Sequence, residues 1–534
     1  MIQLPGVKHE GDARDPKIMA DWASARWEAI QQARRAADEA DAALIGRVYK
    51  LLQKLSLLAT EEEGIEFPTL FSRLAYVKSR YEVPGRLIFA LQSFRKQVEQ
   101  KGTDYTEPEL LSVGLWSTAR LIEGLWGRLP TIIDPQIEQA SALLREKRAF
   151  EGYLPLMRGL ITGVGPEKET LRFLEENGPQ TEHILCWNVA ERNEIFSDNI
   201  QKLLQADVFP YSCHLWHVEI DADGRLFPQA FIFEPDYLVN VTAIASCFQS
   251  DGVQLLPYFL NKFLPRTPSA PLLKGHIANH FFDGLLKDPK TEFLPLLRET
   301  FQMYPLEYAL LDEAEMRKVY ADVKQFYAVI QSVIQQQFPD VRLDPRKAVI
   351  EPSFYHPGLG LQGRMDMLQL SDPGEPDGII ELKSGSAFRP NRYGLQASHY
   401  VQTLLYDLLI SHALPKDPRA LSYILYCKES DRPLRSAPVA REQQVEALQL
   451  RNRIILWEQM LSRLTGRAQD LEVFHHLHPG KHDVAGFLGR DLHRFSSVFQ
   501  SLAEGEQSYF AAFTGFMARE HLLAKVGRDQ SDRN

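Results

Sequence analysis

The chain has 534 residues, 44% hydrophobic and 24% charged, with a formal net charge of −10. That composition fits a globular protein with a sizeable core, and the usual ~100–200 residues per domain suggests about three domains. The acidic balance argues against a protein that holds nucleic acid by bulk positive charge, while leaving room for a local basic groove.

The N-terminal stretch MIQLPGVKHEGDARD is charged, broken by Pro5, and has no signal-peptide core. No run of about 18 consecutive apolar residues occurs, so no membrane span is expected. Cys186, Cys213, Cys247 and Cys427 are scattered without a C-x-x-C pair. That spacing argues against a Cys-only zinc site and a disulfide scaffold, and favours a reducing, cytoplasmic setting.

Residues 16–60 read as helical, being rich in Ala, Leu, Arg and Glu and free of Gly until Gly46. Further helix is predicted at 86–100 and 107–150, interrupted at Pro130 and Pro135. Residues 1–204 are therefore expected to form a helical scaffold or partner-binding domain. Composition shifts near residue 205, where CHLWHVEIDADGRLFPQAFIFEPDYLVNVTAIASCF alternates apolar residues around a turn at Asp221–Gly224. The Pro-rich passage FLPRTPSAPL precedes a helix starting near Gly275, and 290–338 reads as mostly helical. Strands and turns return at 347–385, a helix covers 392–413, and 436–534 is expected to be a helical extension. The string GVGPEKET at 163–170 lacks the Gly-Lys-Ser/Thr ending of a phosphate loop, so no ATP site is expected in this chain.

The segment that carries chemistry is GLGLQGRMDMLQLSDPGEPDGIIELKSG, residues 358–385. Two strand-like runs, RMDMLQL and GIIELKS, flank the turn-former cluster SDPGEPD, and a hairpin is the simplest geometry. Asp366 is placed in the first strand, Glu381 and Lys383 in the second. Alternation puts Glu381 and Lys383 on one face and turns Leu382 into the core. Pairing of the strands would bring Asp366 to Glu381. Two carboxylates ~4 Å apart repel by roughly 1 kcal/mol in water and about 4 kcal/mol at an effective dielectric of 20. A divalent cation reverses that sign, and hard oxygen donors suit Mg²⁺ or Mn²⁺. Lys383 could then orient a water or neutralise developing phosphate charge. Gly363, three residues before Asp366, is read as permitting the turn that delivers it. In the following helix Val401, Leu404, Leu405 and Leu408 mark the buried face, and His399, Gln402 and Tyr406 form a polar stripe opposite.

Together, G-x-x-D at Gly363–Asp366, E-x-K at Glu381–Lys383 and Q-x-x-x-Y at Gln402–Tyr406 resemble the RecB-like branch of the PD-(D/E)XK nucleases. GLQGRMD, ELKSG and HYVQTLLY are most similar to the nuclease domain of the eukaryotic-type flap-processing helicase–nucleases. Supporting strings are EPDYLVNVTAIA at 234–245, KGHIANHFFDGLL at 274–286, SYILYCK at 422–428 and the Arg451–Asn452 pair. YFAAFTGFMAREH at 509–521 resembles the passage that leads toward the helicase. The resemblance spans roughly 230–460.

The resemblance implies an α/β, restriction-endonuclease-like mixed central sheet flanked by helices, over residues 205–435. It implies metal ligation by Asp366, Glu381 and the Leu382 carbonyl, a catalytic Lys383, and Gln402 and Tyr406 contacting DNA or bracing the site. In the family a helical G-x-x-x-H supplies a further ligand. Here Asn279 stands four residues after Gly275, and the adjacent His280 is the expected ligand. Many relatives hold an iron–sulfur cluster with three cysteines after the core, but no cysteine follows Cys427, so no such cluster is expected. His475, His476, His478 and His482 are read as a solvated loop. The expected activity is Mg²⁺- or Mn²⁺-dependent DNA cleavage on single-stranded ends or flaps, in repair, replication or defence against foreign DNA. A motor would come from a partner protein or a further C-terminal helicase region. The alternatives are a catalytically silent DNA-binding or assembly module, and an RNA nuclease with the same site chemistry.

Overall fold

The computed structural model describes residues 15–61, 67, 69–100, 105–143, 150–176, 182–249, 252–265, 268–387, 395–416, 418–482, 484 and 486–526. The chain opens with five main helices, α1 (Pro16–Ala36), α2 (Asp41–Thr60), α3 (Leu70–Arg80), α4 (Gly85–Gln100) and α5 (Glu107–Trp126), followed by the short α6 (Pro135–Gln139). Local signals set their ends. Asp15 accepts the Lys17 N–H at 2.8 Å ahead of Pro16 in the first turn of α1. A Thr106–Glu109 capping box starts α5, and Gly127 ends it at φ 72°. Trp27, Leu52, Leu91, Phe94 and Leu115 anchor a core belonging to this bundle.

The expectation of helix up to residue 204 fails from Gly152 onward. Strands β1 (Gly152–Val164), β2 (Thr170–Glu175) and β3 (Glu182–Cys186) come first, then α7 (Ser197–Ala206), β4 (Tyr211–Ile220), β5 (Leu226–Phe227) and β6 (Ala230–Phe233). β1 pairs antiparallel with β2, and β2 with β3. β3 runs parallel to β5 at Leu185–Leu226, β5 pairs with β4, and β4 returns to β1. Five strands thus close a ring, with β6 added to β4. A five-stranded ring in the order 1-2-3-5-4, with a helix between the third and fourth strands, is the topology of oligonucleotide/oligosaccharide-binding barrels. The 163–170 string is the β1–β2 turn, closed by Gly165 N–H donating to the Thr170 carbonyl.

Short elements β7 (Val239–Asn240), α8 (Val241–Ala245), β8 (Phe248–Gln249), β9 (Gly252–Val253) and α9 (Leu256–Phe263) lead to α10 (Ala270–Lys287), α11 (Phe293–Met303), α12 (Pro305–Ala309), α13 (Glu313–Ser332) and α14 (Phe338–Asp340). Then come β10 (Ala348–Ile350), β11 (Ser353–His356), β12 (Leu361–Arg364), β13 (Met367–Gln369), β14 (Gly378–Lys383), α15 (Ala397–Ala413), β15 (Leu421–Tyr426) and β16 (Leu434–Ser436). The central sheet has the order β10-β13-β14-β15-β16. Only β14 and β15 run parallel, joined across α15, so the sheet is mixed. Met367, Ile380 and Leu382 pack under α10 and α13 on one face. Leu368 and Ile379 pack against Val401 and Leu405 of α15 on the other. The protein is therefore mixed α/β, with a central sheet between helices.

The C-terminal part is helical as expected: α16 (Arg441–Ser462), α17 (Glu472–His475), α18 (Gly486–Ser501) and α19 (Glu504–Val526). It shares one hydrophobic cluster with the barrel and α15, running from Met157 to Ala518. Its seam is the pair Arg451–Asn452. Arg451 donates to the carbonyls of Gly360 (3.2 Å), Glu234 (2.8 Å), Tyr237 (2.9 Å) and Phe233. Gly360, at φ 60°, is required there, because an added Cβ would lie 2.2 Å from Arg451 Nη2. The four histidines of the 475–482 loop serve local contacts, including His478 accepting the Gly480 N–H and His482 meeting the His476 carbonyl. All four cysteines are buried. Among the described residues no helix is long and apolar enough to cross a membrane.

Candidate active site

The hairpin forms as the turn cluster implies: β13 and β14 pair antiparallel with Met367 opposite Ile380. Continuing that register by one residue sets Asp366 opposite Glu381. Asp366 lies not within a strand but in the break between β12 and β13. There its Oδ2 accepts the Leu382 N–H at 2.6 Å. The break lets Asp366 reach across the end of the ladder instead of continuing the pleat.

Glu381 is buried, at 5% exposure. Its Oε1 accepts from Lys383 Nζ at 2.7 Å and from Gln402 Nε2 at 2.7 Å. Its Oε2 is buried with no hydrogen-bond partner among the described residues. Desolvation and the neighbouring Glu381 carboxylate push the Asp366 carboxyl well above its ordinary range, against the pull of the Leu382 N–H and the Lys383 ammonium. Ionising both carboxyls of the pair together is therefore disfavoured.

Helix α15 supplies the brace. Lys383 Nζ also donates to Gln402 Oε1 at 2.8 Å, Gln402 Nε2 meets Tyr406 OH at 2.8 Å, and Tyr406 OH donates to the Arg364 carbonyl at 2.7 Å. Burial and the Glu381 carboxylate raise the Tyr406 phenol, so it stays a neutral donor. The expected exposed polar stripe is corrected here. Gln402 and Tyr406 are buried at 5% and 1% exposure, because α15 is covered on nearly all sides. His399 turns away toward β15, where its Nδ1 meets Tyr426 OH at 3.1 Å. Burial, then the Lys383 charge, lowers His399 to about 3, so its imidazole is neutral. The predicted helix start at 392 lies outside the described residues, and α15 begins at Ala397.

Gly363 makes no turn. It sits within β12, and an added Cβ would come 3.1 Å from Tyr406 Cε1 and 3.2 Å from Val241. Its lack of a side chain lets the Tyr406 ring approach the strand that precedes Asp366.

His280 is directed elsewhere. Gly275 faces the end of β14, 3.7 Å from Ser384 Oγ measured from an ideal Cβ. At ~100° per residue, Asn279 lies about 40° from Gly275 around the helix and His280 about 140°. His280 accordingly pairs with Glu299 of α11 at 2.9 Å. Among the described residues, no three His, Cys, Asp or Glu side chains converge as a metal cage. The protein-side oxygens are those of Asp366, Glu381 and the local backbone, a sparse set of the kind Mg²⁺ accepts when water and phosphate complete its shell.

Two acidic groups went unnoticed in the sequence. The Glu351 N–H donates to the Asp366 carbonyl at 3.0 Å, while its carboxylate pairs with Arg364 at 3.0 Å. Asp283, two turns beyond Gly275 on α10, is raised to about 6 by burial and then by Glu351. Only the eight-residue spacing from Gly275 hinted at Asp283, and no local signal marked Glu351.

No protein-family model matches the chain, and no curated protein matches it.

Proposed function

We propose that this protein is a metal-dependent nuclease of the PD-(D/E)XK type, with its centre at Asp366, Glu381 and Lys383. One observation carries the reading: Glu381 Oε2 is buried without a hydrogen-bond partner among the described residues, beside a second buried carboxyl, Asp366. Leaving such an oxygen without a partner costs ~1–3 kcal/mol, more when it is charged, and a divalent cation would offset that cost. Asp366, Glu381 and the Leu382 carbonyl would hold Mg²⁺ or Mn²⁺. A cation there, when bound, polarises a phosphodiester and acidifies water.

The chain's own residues do the remaining work. Lys383 presents an ammonium beside the carboxylates, fixed by Glu381 and Gln402 at 2.7 and 2.8 Å, where it stabilises charge growing on a phosphate oxygen. Tyr406 holds Gln402, and the Arg364 carbonyl holds Tyr406. This chain of bonds keeps the ammonium in place before substrate arrives.

The test is a digestion panel of single-stranded, duplex, flap and RNA substrates with Mg²⁺, Mn²⁺ or chelator. Metal-dependent DNA cleavage is expected, and Glu381→Ala and Lys383→Ala should each lower it by about 100–1,000-fold or more while the fold persists. Full activity in either purified variant would overturn the assignment. Cleavage of RNA alone would redirect it to that polymer.

A further inference from the structure

The bundle contains a cleft of about 790 Å³ between α1, α2 and the start of α3, within the roughly 300–1,000 Å³ range of ligand sites. Five cations line it, Arg26, Arg47, Lys50, Lys54 and Arg73, of which Arg47 pairs with Glu39 beyond the cleft, and no Asp or Glu is among its described lining residues. In a chain of net charge −10 this is a local reversal of sign. Arg47, Lys50 and Lys54 fall within about 60° of one another on α2, making a stripe along one wall. Opposite, the Arg26 guanidinium stacks 4.3 Å from the Trp22 ring centre. The Trp22 Nε1–H is buried without an acceptor among the described residues.

Cations along a wall with an aromatic ring between them are the chemistry of single-strand binding: ammonium groups track phosphates, and the ring stacks on a base. The barrel, despite its strand order, carries less of this. Arg225 and Glu167 bridge its β1–β2 and β4–β5 loops at 2.9 Å, and the aromatic residues on β1–β3 are Tyr153, which bonds His217, and the buried Phe173. Phe67, which lines the cleft, is buried in one cluster with Tyr400 of α15 and Tyr426 of β15, so the cleft rests on two of the elements around the candidate active site.

We propose that this cleft takes a single-stranded DNA segment, which names the substrate form of the nuclease reading and rests on it. The experiment measures binding of labelled oligothymidine to the full chain by fluorescence anisotropy in EDTA, where cleavage is silent. The triple variant Arg26→Glu/Lys50→Glu/Lys54→Glu should lose at least about 10-fold in affinity, and its salt dependence should be shallower by about 2, at ~0.7 per cation removed. Lys50→Ala/Lys54→Ala, a milder change at solvent-facing positions, should shift both in the same direction by a smaller amount. Unchanged affinity and salt slope in folded variants would overturn the proposal. So would tighter binding of duplex DNA, of oligouridine, or of polyglutamate matched in charge. Strand binding that depends on the cleft, with no cleavage under any metal, would retain the binding site and reject the nuclease. Cleavage unaffected by the cleft variants would do the reverse.

Discussion

Two buried charged side chains are treated in opposite ways. Arg451, at the seam between α16 and the barrel, is fully buried, and its donors meet four main-chain carbonyls. Glu381, in the central sheet, is nearly as buried, yet one of its oxygens has no hydrogen-bond partner among the described residues and a second carboxyl, Asp366, lies beside it. A buried charge with every bond made is a structural rivet. A buried charge left short of partners costs stability, and a fold retains it where something else is to be bound.

The comparison can be broken most directly at Arg451. Arg451→Met removes a donor from the Phe233, Glu234, Tyr237 and Gly360 carbonyls at once and should cost about 3–5 kcal/mol, read as a lower urea midpoint. A loss below about 1 kcal/mol would show that the bonds hold nothing together.

Acid tests the same seam. His214, whose Nδ1 lies 3.1 Å from the Gly358 carbonyl, is lowered to about 4, chiefly by burial. His356, stacked on His412 at 3.8 Å, is lowered to about 3 by burial and then by that neighbour. Both folded values lie below the unfolded value of 6.5. As pH falls through that value the unfolded chain takes up protons first. The stability is intact above it and is lost progressively toward the folded values. Melting at about pH 5 should show a loss of about 2 kcal/mol for each histidine, about 4 kcal/mol together, relative to neutral pH, and equal midpoints would reject these two histidines as buried and neutral.

At the other pole, Tyr406→Phe removes the phenol that holds Gln402 and should cost about 1 kcal/mol of stability while cleavage falls with it. Stability and cleavage both unchanged would remove Tyr406 from the brace. The smallest stability effect distinguishes the two charges best. Glu381→Gln relieves the crowding with Asp366 at the cost of the Lys383 ion pair and should change stability by no more than about 1 kcal/mol, read from the melting midpoint, while cleavage is lost. A destabilisation as large as that of Arg451→Met would make Glu381 a structural residue.

How much of this the sequence discloses follows from the range of each interaction. Glu381 and Lys383 are two apart on one strand, and SDPGEPD folds Asp366 back on them, so their meeting is readable locally. Gln402 and Tyr406, one turn apart, are equally visible as a pair, but their burial is not, because the sheet and α16 cover α15 from distant parts of the chain. His280 was misread because its direction depends on the phase of α10 against β14, which spacing alone does not set. The barrel strands at 152–186 escaped because their ring closes through β1–β4 and β3–β5 pairings that lie far apart in sequence. Pro155, Gly159 and Gly163 also blur the alternation of β1. Glu351 reaches Asp366 through its backbone, which no residue pattern records.

Asn452, beside Arg451, has a consequence of its own. Its amide donates to the Phe231 carbonyl at 2.7 Å and accepts the Phe233 N–H at 3.1 Å. It thereby makes the two bonds that a further β-chain would make along the outer side of β6. One helix side chain stands in for a neighbouring strand, so the margin of the sheet offers no template on which a second molecule could zip, and self-association by strand addition is blocked at its most apolar rim.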